Sequence, residues 1–307
     1  SGLGLSDGET YTFSARATDT DNQLSDTTTT DGVTIDTDAP VISSVAEGSA
    51  TSVSSNTHSL SFDGVDDDVN IGDIDLVNHF TIISYVKPDY SLWNGDGGEN
   101  DMIVGKGNSY MLGMHETWGL YAELLPTGSG TWVGSNSTYL QDNGISPTFL
   151  SENAWSQVVV THDGQDLKVY VNGVIIYQIT LSIDINQNDQ STVIGNCSSP
   201  HADRWLNGII DETSIWNTAL SQSEIQSYMS TSPTGSESGL VGYWNFNENT
   251  GSTLTDLSGN GNNGTIVGAT WSDDVPATST GGGDADYQNV ADELIISWSG
   301  SDEVSGI

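Results

Sequence analysis

The chain has 307 residues, a length that accommodates one large domain of roughly 200 residues together with smaller segments. Its net charge of −37 at pH 7, with only five lysine and arginine residues, argues against binding to nucleic acid or to anionic membranes through a basic surface. The nine tryptophans indicate a sizeable core, the single Cys197 excludes an internal disulfide, and no apolar stretch reaches the length of a transmembrane helix.

The first segment, residues 1–45, has the pattern of the last strands of a small β-sandwich. Between Gly8 and Asp19, aromatic and alanine side chains alternate with polar ones, which is typical of a half-buried strand. A second strand is predicted over Val33–Pro40, where the proline ends it. This segment resembles the C-terminal part of a bacterial fibronectin-III-like or Ig-like repeat.

Residues 50–272 contain ten to twelve short segments that carry strand alternation or brief apolar runs. With no helical pattern alternating between them, they predict an all-β fold, a two-sheet antiparallel sandwich. The clearest signal is a hairpin in which Asn172 and Gly173 supply the two positive-φ positions of a type I′ turn.

One helix is predicted in the central region, over Ala219–Met229. Ser221 and Glu224 have the spacing of a capping box, and Leu220 and Ile225 that of a hydrophobic staple. The helix is short, so we expect it to pack across an edge of the sandwich.

The end of the chain mirrors its start. Residues 273–286 form a Gly, Ser and Thr-rich linker, and residues 287–307 resemble the N-terminal part of a following fibronectin-III-like or Ig-like repeat. The simplest interpretation is a piece of a tandem array. The alternative is that the two terminal segments pair to complete one domain.

Five blocks of the central region, in this order, resemble the bacterial LamG-like, concanavalin A-like jelly-roll domain: Leu60–Gly72, Phe80–Pro88, Trp155–Gly173, Leu206–Met229 and Gly239–Trp271. The resemblance implies a jelly roll of two curved sheets, frequent structural calcium, and roles in glycan binding or adhesion. Members differ in ligand, so the fold does not settle the function.

A calcium site is predicted around the loop at residues 256–264. Its carboxylate, its amides and a tight Gly/Asn turn offer the oxygen ligands that calcium prefers, and the resemblance adds two aspartates from neighbouring segments. The alternative is a plain turn in which the carboxylate accepts local backbone hydrogen bonds. The predicted ligands are Asp256, Asn260, Asn263, Asp63 and Asp211.

A ligand-binding surface is predicted between residues 89 and 152, the region that the shared blocks leave open. Aromatic faces and nearby polar groups suit the apolar and hydroxylated sides of a sugar ring. The alternative for any one tryptophan is a place in the core, and Trp155, Trp216 and Trp244 in the shared blocks are predicted to be core residues. The candidate binding residues are Trp93, Asp101, His115, Trp118, Trp132 and Asn136.

Catalysis has little support from the sequence. The run of acidic residues that glucanases of this fold carry on one strand is absent, and Asp211 and Glu212 are adjacent, so on a regular strand they point to opposite sides. For the same reason Asp66, Asp67 and Asp68 cannot all face one ion. The five histidines show no zinc-binding spacing: His58, His79, His115, His162 and His201.

These observations predict a non-catalytic, calcium-stabilised carbohydrate-binding or adhesion module of a secreted or cell-surface multi-domain bacterial protein. Its expected partners are an extracellular glycan or surface polysaccharide and other domains of the same long chain. The alternative is a structural spacer in an adhesin array, without its own ligand. A glycoside hydrolase is the third reading, and nothing indicates membrane insertion.

Overall fold

The computed structural model of the chain describes residues 10–11, 14–15, 27–29, 33–34, 56–93, 100–135, 144–198, 200 and 204–276. The chain divides into two compact units between Thr51 and Ser52. The predicted terminal segment 287–307 and most of the linker 273–286 lie outside the described residues.

The N-terminal unit has four short described strands. Two antiparallel pairs form, β1 with β4 and β2 with β3. Because only parts of the strands predicted over Gly8–Asp19 and Val33–Pro40 are described, the partial repeat at residues 1–45 stays a prediction. The strands are β1 (Thr10–Tyr11), β2 (Ser14–Ala15), β3 (Thr28–Thr29) and β4 (Val33–Thr34).

Two antiparallel sheets build the second unit, and they confirm the predicted jelly-roll sandwich. The first sheet has the strand order β11-β10-β9-β8-β15-β6-β19-β18. Its strands are β6 (Asp68–Asn70), β8 (Asn100–Lys106), β9 (Tyr110–His115), β10 (Gly119–Leu124), β11 (Val133–Gly134), β15 (Thr192–Ile194), β18 (Thr253–Leu254) and β19 (Gly264–Val267).

The second sheet has the order β14-β13-β12-β7-β16-β5-β20. The strand β17 pairs with the C-terminal part of β16, beyond the part that pairs with β5. The entering strand β5 and the leaving strand β20 are paired neighbours. The strands are β5 (Ser59–Asp63), β7 (His79–Pro88), β12 (Ser156–Asp163), β13 (Asp166–Val171), β14 (Val174–Thr180), β16 (Asn207–Trp216), β17 (Leu240–Trp244) and β20 (Thr270–Ser272).

The main core lies between the two sheets. Alternate side chains of the paired strands point inward, so Leu60, Val86, Leu112, Val160 and Trp244 are all fully or almost fully buried there. At an edge of this core His162 is buried, with its two ring nitrogens each 2.7 Å from a backbone carbonyl oxygen, which gives it a structural role.

The helix α1 (Gln222–Ser227) covers the other face of the second sheet. Its predicted capping box is present, because Ser221 N donates to Glu224 Oε2 over 2.7 Å and Ser221 Oγ accepts from Glu224 N. The helix is shorter than the predicted span. It encloses a second apolar cluster with Ile83, Trp216 and Ile225, which explains why β7 and β16 are buried on both faces.

The predicted hairpin is confirmed by its turn. Asn172 and Gly173 have φ values of 49° and 71°, and Val171 pairs with Val174 across the two-residue loop. Positive φ at both central positions matches the right-handed twist of the strands. Of the three tryptophans predicted to be core residues, Trp216 and Trp244 are buried, whereas Trp155 is half-buried and donates its indole N–H to Asp274 Oδ1 over 2.8 Å.

Candidate functional site

The first sheet carries a second, smaller set of packed side chains on the face that points away from the main core. Leu112 and Met114 belong to the main core, so Met111, which precedes them, and His115, which follows them, point outward. We call this surface the outer face. It is formed by Asn100, Met102, Met111, Gly113, His115 and Tyr121, which the strand register places side by side on β8, β9 and β10.

Aromatic rings gather at one end of the outer face. His115 and Trp118 stack with ring centroids 3.4 Å apart and planes 11° from parallel, and Tyr121 meets Trp118 edge-on at 6.4 Å. Trp118 and Trp132 are half-buried and pack against the buried side chains of the outer face. Three of the predicted ligand-binding residues therefore lie together on one surface.

A glycine allows this arrangement. Gly113 faces Tyr121 in the strand register, and a Cβ at this position would lie 3.0 Å from the tyrosine hydroxyl and 2.8 Å from Asp101 O. The tyrosine ring can therefore cross over β9 and donate its hydroxyl to Asn100 Oδ1 over 2.6 Å.

The outer face includes hydrogen-bond donors for which no acceptor is found among the described residues. Thr117 N donates to His115 Nδ1 over 3.0 Å, so in the neutral ring the proton sits on Nε2. Burial lowers the pKa of His115, and the positive charge of Arg204 lowers it further, so the ring is neutral at pH 7. The indole nitrogen of Trp118 is buried without a hydrogen-bond partner.

Trp93 and Asp101 lie on the opposite side of β8. Asp101 is paired with Met114, a residue of the main core, and Trp93 Nε1 donates to Asp101 Oδ2 over 3.2 Å. Tyr90 stacks on Trp93 with centroids 4.0 Å apart. These two candidates thus form a cluster of their own, separate from the outer face, and Asn136 lies outside the described residues.

The predicted calcium loop is held by its own hydrogen bonds. Asp256 Oδ1 accepts from Tyr243 N and Ser258 N, and Oδ2 accepts from Asn262 N, at 2.9–3.1 Å. Although burial raises the pKa of Asp256, these bonds lower it below its ordinary value overall.

The amides of that loop are engaged as well. Asn263 Oδ1 accepts from Asp256 N, and Asn260 Nδ2 donates to the carbonyl oxygens of Leu240 and Val241. This geometry matches the alternative interpretation of the loop, a turn closed by local hydrogen bonds. Local hydrogen bonds therefore define the shape of this loop, and calcium there stays a prediction.

Among the residues that the structure describes, one group of three acidic side chains has ligand atoms within 4.8 Å of one another: Asp63, Asp66 and Asp67. It contains one predicted ligand, Asp63, but neither Asp211 nor Asp256. Burial raises the pKa of Asp67, and its acidic neighbours add to the shift. Asp68 is bound by Asn196, so the three consecutive carboxylates do not share one site.

Asp211 and Glu212 correct one expectation from the sequence. They point to the same side of the sheet, because a β-bulge with Glu212 at φ 48° interrupts the alternation. Asn56 Nδ2 donates to Asp211 Oδ2 over 2.7 Å, and Tyr243 donates its hydroxyl to Glu212 Oε2 over 2.6 Å. Burial raises the pKa of Tyr85 and of Tyr243, and the charges of both carboxylates add to the two shifts.

This acidic pair is strongly perturbed. Burial raises the pKa of Glu212 to about 7, against a partial lowering by the Tyr243 hydrogen bond. Burial and the neighbouring Glu212 raise the pKa of Asp211 well above its ordinary range. The pair is a feature of the second sheet, on the face that α1 covers.

A further ionic cluster had no sequence signal beyond the spacing of its aspartates. The side chain of Lys106 is fully buried, and its Nζ contacts Asp73 Oδ1 and, at 2.5 Å, Asp75 Oδ1. The aspartates remain 47% and 40% exposed. This cluster ties β8 to the segment that follows β6.

No helix in the described part of the chain is long and apolar enough to cross a membrane.

Comparison with solved structures identifies similar folds. A proposed carbohydrate-binding protein from Bacteroides ovatus aligns with a TM-score of 0.56 at 21% identity, over 73% of this chain. The chain spans 62% of the length of that protein. Domain 4 of AbnA, an extracellular arabinanase from Geobacillus stearothermophilus, in complex with arabinotriose, aligns with a TM-score of 0.41 at 18% identity, over 55% of this chain and 75% of that domain.

A SAP-like pentraxin from Limulus polyphemus aligns with a TM-score of 0.45 at 14% identity, over 66% of this chain and 92% of that one. None of the curated proteins compared with the chain matches it. A sequence profile of the concanavalin A-like lectin/glucanases superfamily matches residues 62–226, more than half of the chain. Together with the two antiparallel sheets, this match establishes that the chain belongs to the concanavalin A-like lectin/glucanases superfamily.

Proposed function

We propose that the sandwich is a non-catalytic carbohydrate-binding module and that the outer face of its first sheet is the binding surface. The observation that carries the proposal is half-buried Trp118, which stacks on the buried ring of His115 beside buried Tyr121, with half-buried Trp132 on the same face. The B. ovatus protein of similar fold, itself a proposed carbohydrate-binding protein, supports it.

The chemistry of this surface suits a sugar ring. An aromatic face covers the apolar C–H side of a pyranose, while neighbouring donors and acceptors bind its hydroxyls. Here the Nε2–H of neutral His115 is a donor. The side-chain amide of Asn100, whose Oδ1 accepts a hydrogen bond from the Tyr121 hydroxyl, is a second polar group. The surface thus offers both kinds of contact at one place.

A non-catalytic role agrees with the position of the acidic pair. Asp211 is 0% exposed and Glu212 is 7% exposed, beneath Tyr243 and the segment around α1. A glycosidase needs two carboxylates that flank an accessible glycosidic bond. This pair has no such access, so it supports a structural role.

Replacing Trp118 with alanine is expected to weaken glycan binding about tenfold or more, because a central aromatic contact typically carries about 2 kcal/mol of binding free energy. The His115→Ala variant removes the stacking partner and is expected to act in the same direction. The measurement is retention on a glycan array followed by calorimetric titration of the best ligand.

The matched control is Trp155→Ala, which changes a half-buried tryptophan that directly precedes β12 and is expected to leave affinity unchanged. Melting temperatures of all variants separate lost binding from lost folding. If no glycan is retained by the wild-type module, the hypothesis of a structural spacer without its own ligand replaces this proposal. If Trp118→Ala binds as wild type, the site lies elsewhere.

We also propose that the module binds calcium and acts outside the cell, on a surface polysaccharide or in adhesion. The acidic group Asp63, Asp66 and Asp67 supports the calcium proposal, since hard oxygen ligands at such spacing fit this ion. The residues of the Asp256 loop could hold it only if local hydrogen bonds were exchanged for metal ligation.

Excess EDTA is expected to lower the melting temperature of protein purified with calcium, because a cation that binds only the folded state stabilises it. The variants Asp67→Asn and Asp256→Asn distinguish the two places, since the one that holds calcium loses the EDTA response. An unchanged melting curve in EDTA contradicts the calcium proposal.

A further inference from the structure

Arg204 is unusual among the cations of this chain. The structure describes four lysine and arginine residues, and all three lysines are paired with carboxylates: Lys87 with Asp274, Lys106 with Asp73 and Asp75, and Lys168 with Asp163. Within the described ranges, no carboxylate oxygen lies within 4.0 Å of Arg204. In a chain of net charge −37, an arginine without an acidic partner among the described residues needs an explanation.

The guanidinium lies on the outer face. Its Nη1 is 3.1 Å from Met111 Sδ and 3.5 Å from the Tyr121 hydroxyl oxygen. A thioether is a weak acceptor, and a contact at 3.5 Å to a phenol is long. Of the five N–H donors of the guanidinium, none therefore has a strong acceptor among the described residues.

Arg204 also contributes to the electrostatics of this surface. Burial raises the pKa of Tyr121 and of Cys197, and the positive charge of Arg204 offsets part of both shifts. His115 is neutral and adds no charge of its own. Arg204 thus places a positive charge beside the stacked rings of His115 and Trp118, which Glu116 opposes at His115 and Glu123 opposes at Tyr121.

We propose that Arg204 binds the carboxylate of an acidic sugar, so that the outer face recognises a uronic-acid-containing glycan. The planar fork of a guanidinium matches a carboxylate bidentately, and hydrogen bonds between charged groups are stronger than neutral ones. The sugar ring would lie against the aromatic stack while its carboxylate meets the guanidinium. This inference rests on the proposed function, because it assigns a class of ligand to the same surface.

The test compares uronate oligosaccharides with their carboxyl-reduced counterparts, which keep the sugar ring and lose the charge. Both sets, containing galacturonate, glucuronate, mannuronate and guluronate oligomers, are printed on an array, and the strongest pair is titrated by calorimetry. Wild-type protein is expected to bind the acidic member about tenfold or more tightly than the reduced one.

The Arg204→Gln variant is expected to bind both members at the affinity of the reduced one, and Arg204→Lys to keep part of the preference. Equal melting temperatures of wild type and both variants exclude a folding defect as the cause. Raising the salt concentration is expected to weaken binding of the acidic member only.

Two results overturn the inference while the proposed function stands: equal binding of both members by wild type, and an unchanged preference in Arg204→Gln. Absence of binding to every glycan overturns the proposed function itself. The two failures are therefore distinguishable.

Discussion

The double substitution Asp73→Asn/Asp75→Asn is expected to lower the free energy of unfolding by about 3–5 kcal/mol. Lys106 is fully buried, and these two carboxylates are the charged partners of its ammonium group. Without them the cation is left in the protein interior without a counter-charge, which is the costly half of breaking a buried ion pair. Urea denaturation followed by tryptophan fluorescence measures the difference.

Replacing the lysine instead of its two partners is expected to lower the free energy of unfolding far less. In Lys106→Met the stem is replaced by an apolar chain of similar length, and the aspartates, 47% and 40% exposed, can be rehydrated. We expect a loss of about 1 kcal/mol or less, and the triple variant should recover most of the stability that the double variant loses.

The exposed Asp189→Asn variant controls for the general effect of removing negative charge. A Lys106→Met variant as unstable as the double aspartate variant would show that the attraction of the pair, rather than the burial of the lysine, dominates.

The free energy of unfolding of the wild-type protein is expected to fall by about 3 kcal/mol between pH 5 and pH 8, and Glu212→Gln is expected to abolish this fall. The size follows because one pKa unit corresponds to about 1.4 kcal/mol. Burial raises the pKa of Glu212 from 4.5 to about 7 in the folded protein. Between these values the folded state holds a proton that the unfolded state has released. The stabilisation is therefore complete below about pH 4.5 and is lost as the pH rises through 7.

Glutamine imitates the protonated acid and can still accept the Tyr243 hydrogen bond. The variant is thus expected to be more stable than wild type at pH 8 and equal to it near pH 4.5. Urea denaturation of both proteins in EDTA, where no cation compensates the carboxylates, measures the difference across pH. A difference that does not change with pH contradicts the assignment.

Local sequence signals predicted the frame of the sandwich. The turn at Asn172 and Gly173 and the capping box of Ser221 and Glu224 depend on neighbouring residues only, so both could be recognised without knowledge of the fold. The alternation of the strands indicated two faces, one for the main core and one for solvent or a second cluster.

Contacts between distant segments decided the rest. The sequence placed Trp93 and Trp118 in one candidate site, but the pairing of Asp101 with Met114 turns the Trp93 cluster toward the core. Arg204, more than 80 positions after Tyr121, reaches the outer face only through folding. The bulge at Glu212 depends on where β5 ends and β17 begins along β16, and no local residue pattern marks it.

Hydrogen exchange of the wild-type module with and without an acidic oligosaccharide tests the location of binding most directly. We expect slower exchange in β8, β9 and β10 and in the turn that carries Trp118, with the second sheet unchanged. Protection confined to the second sheet or to the loop at residues 256–264, with none on the outer face, would contradict the account.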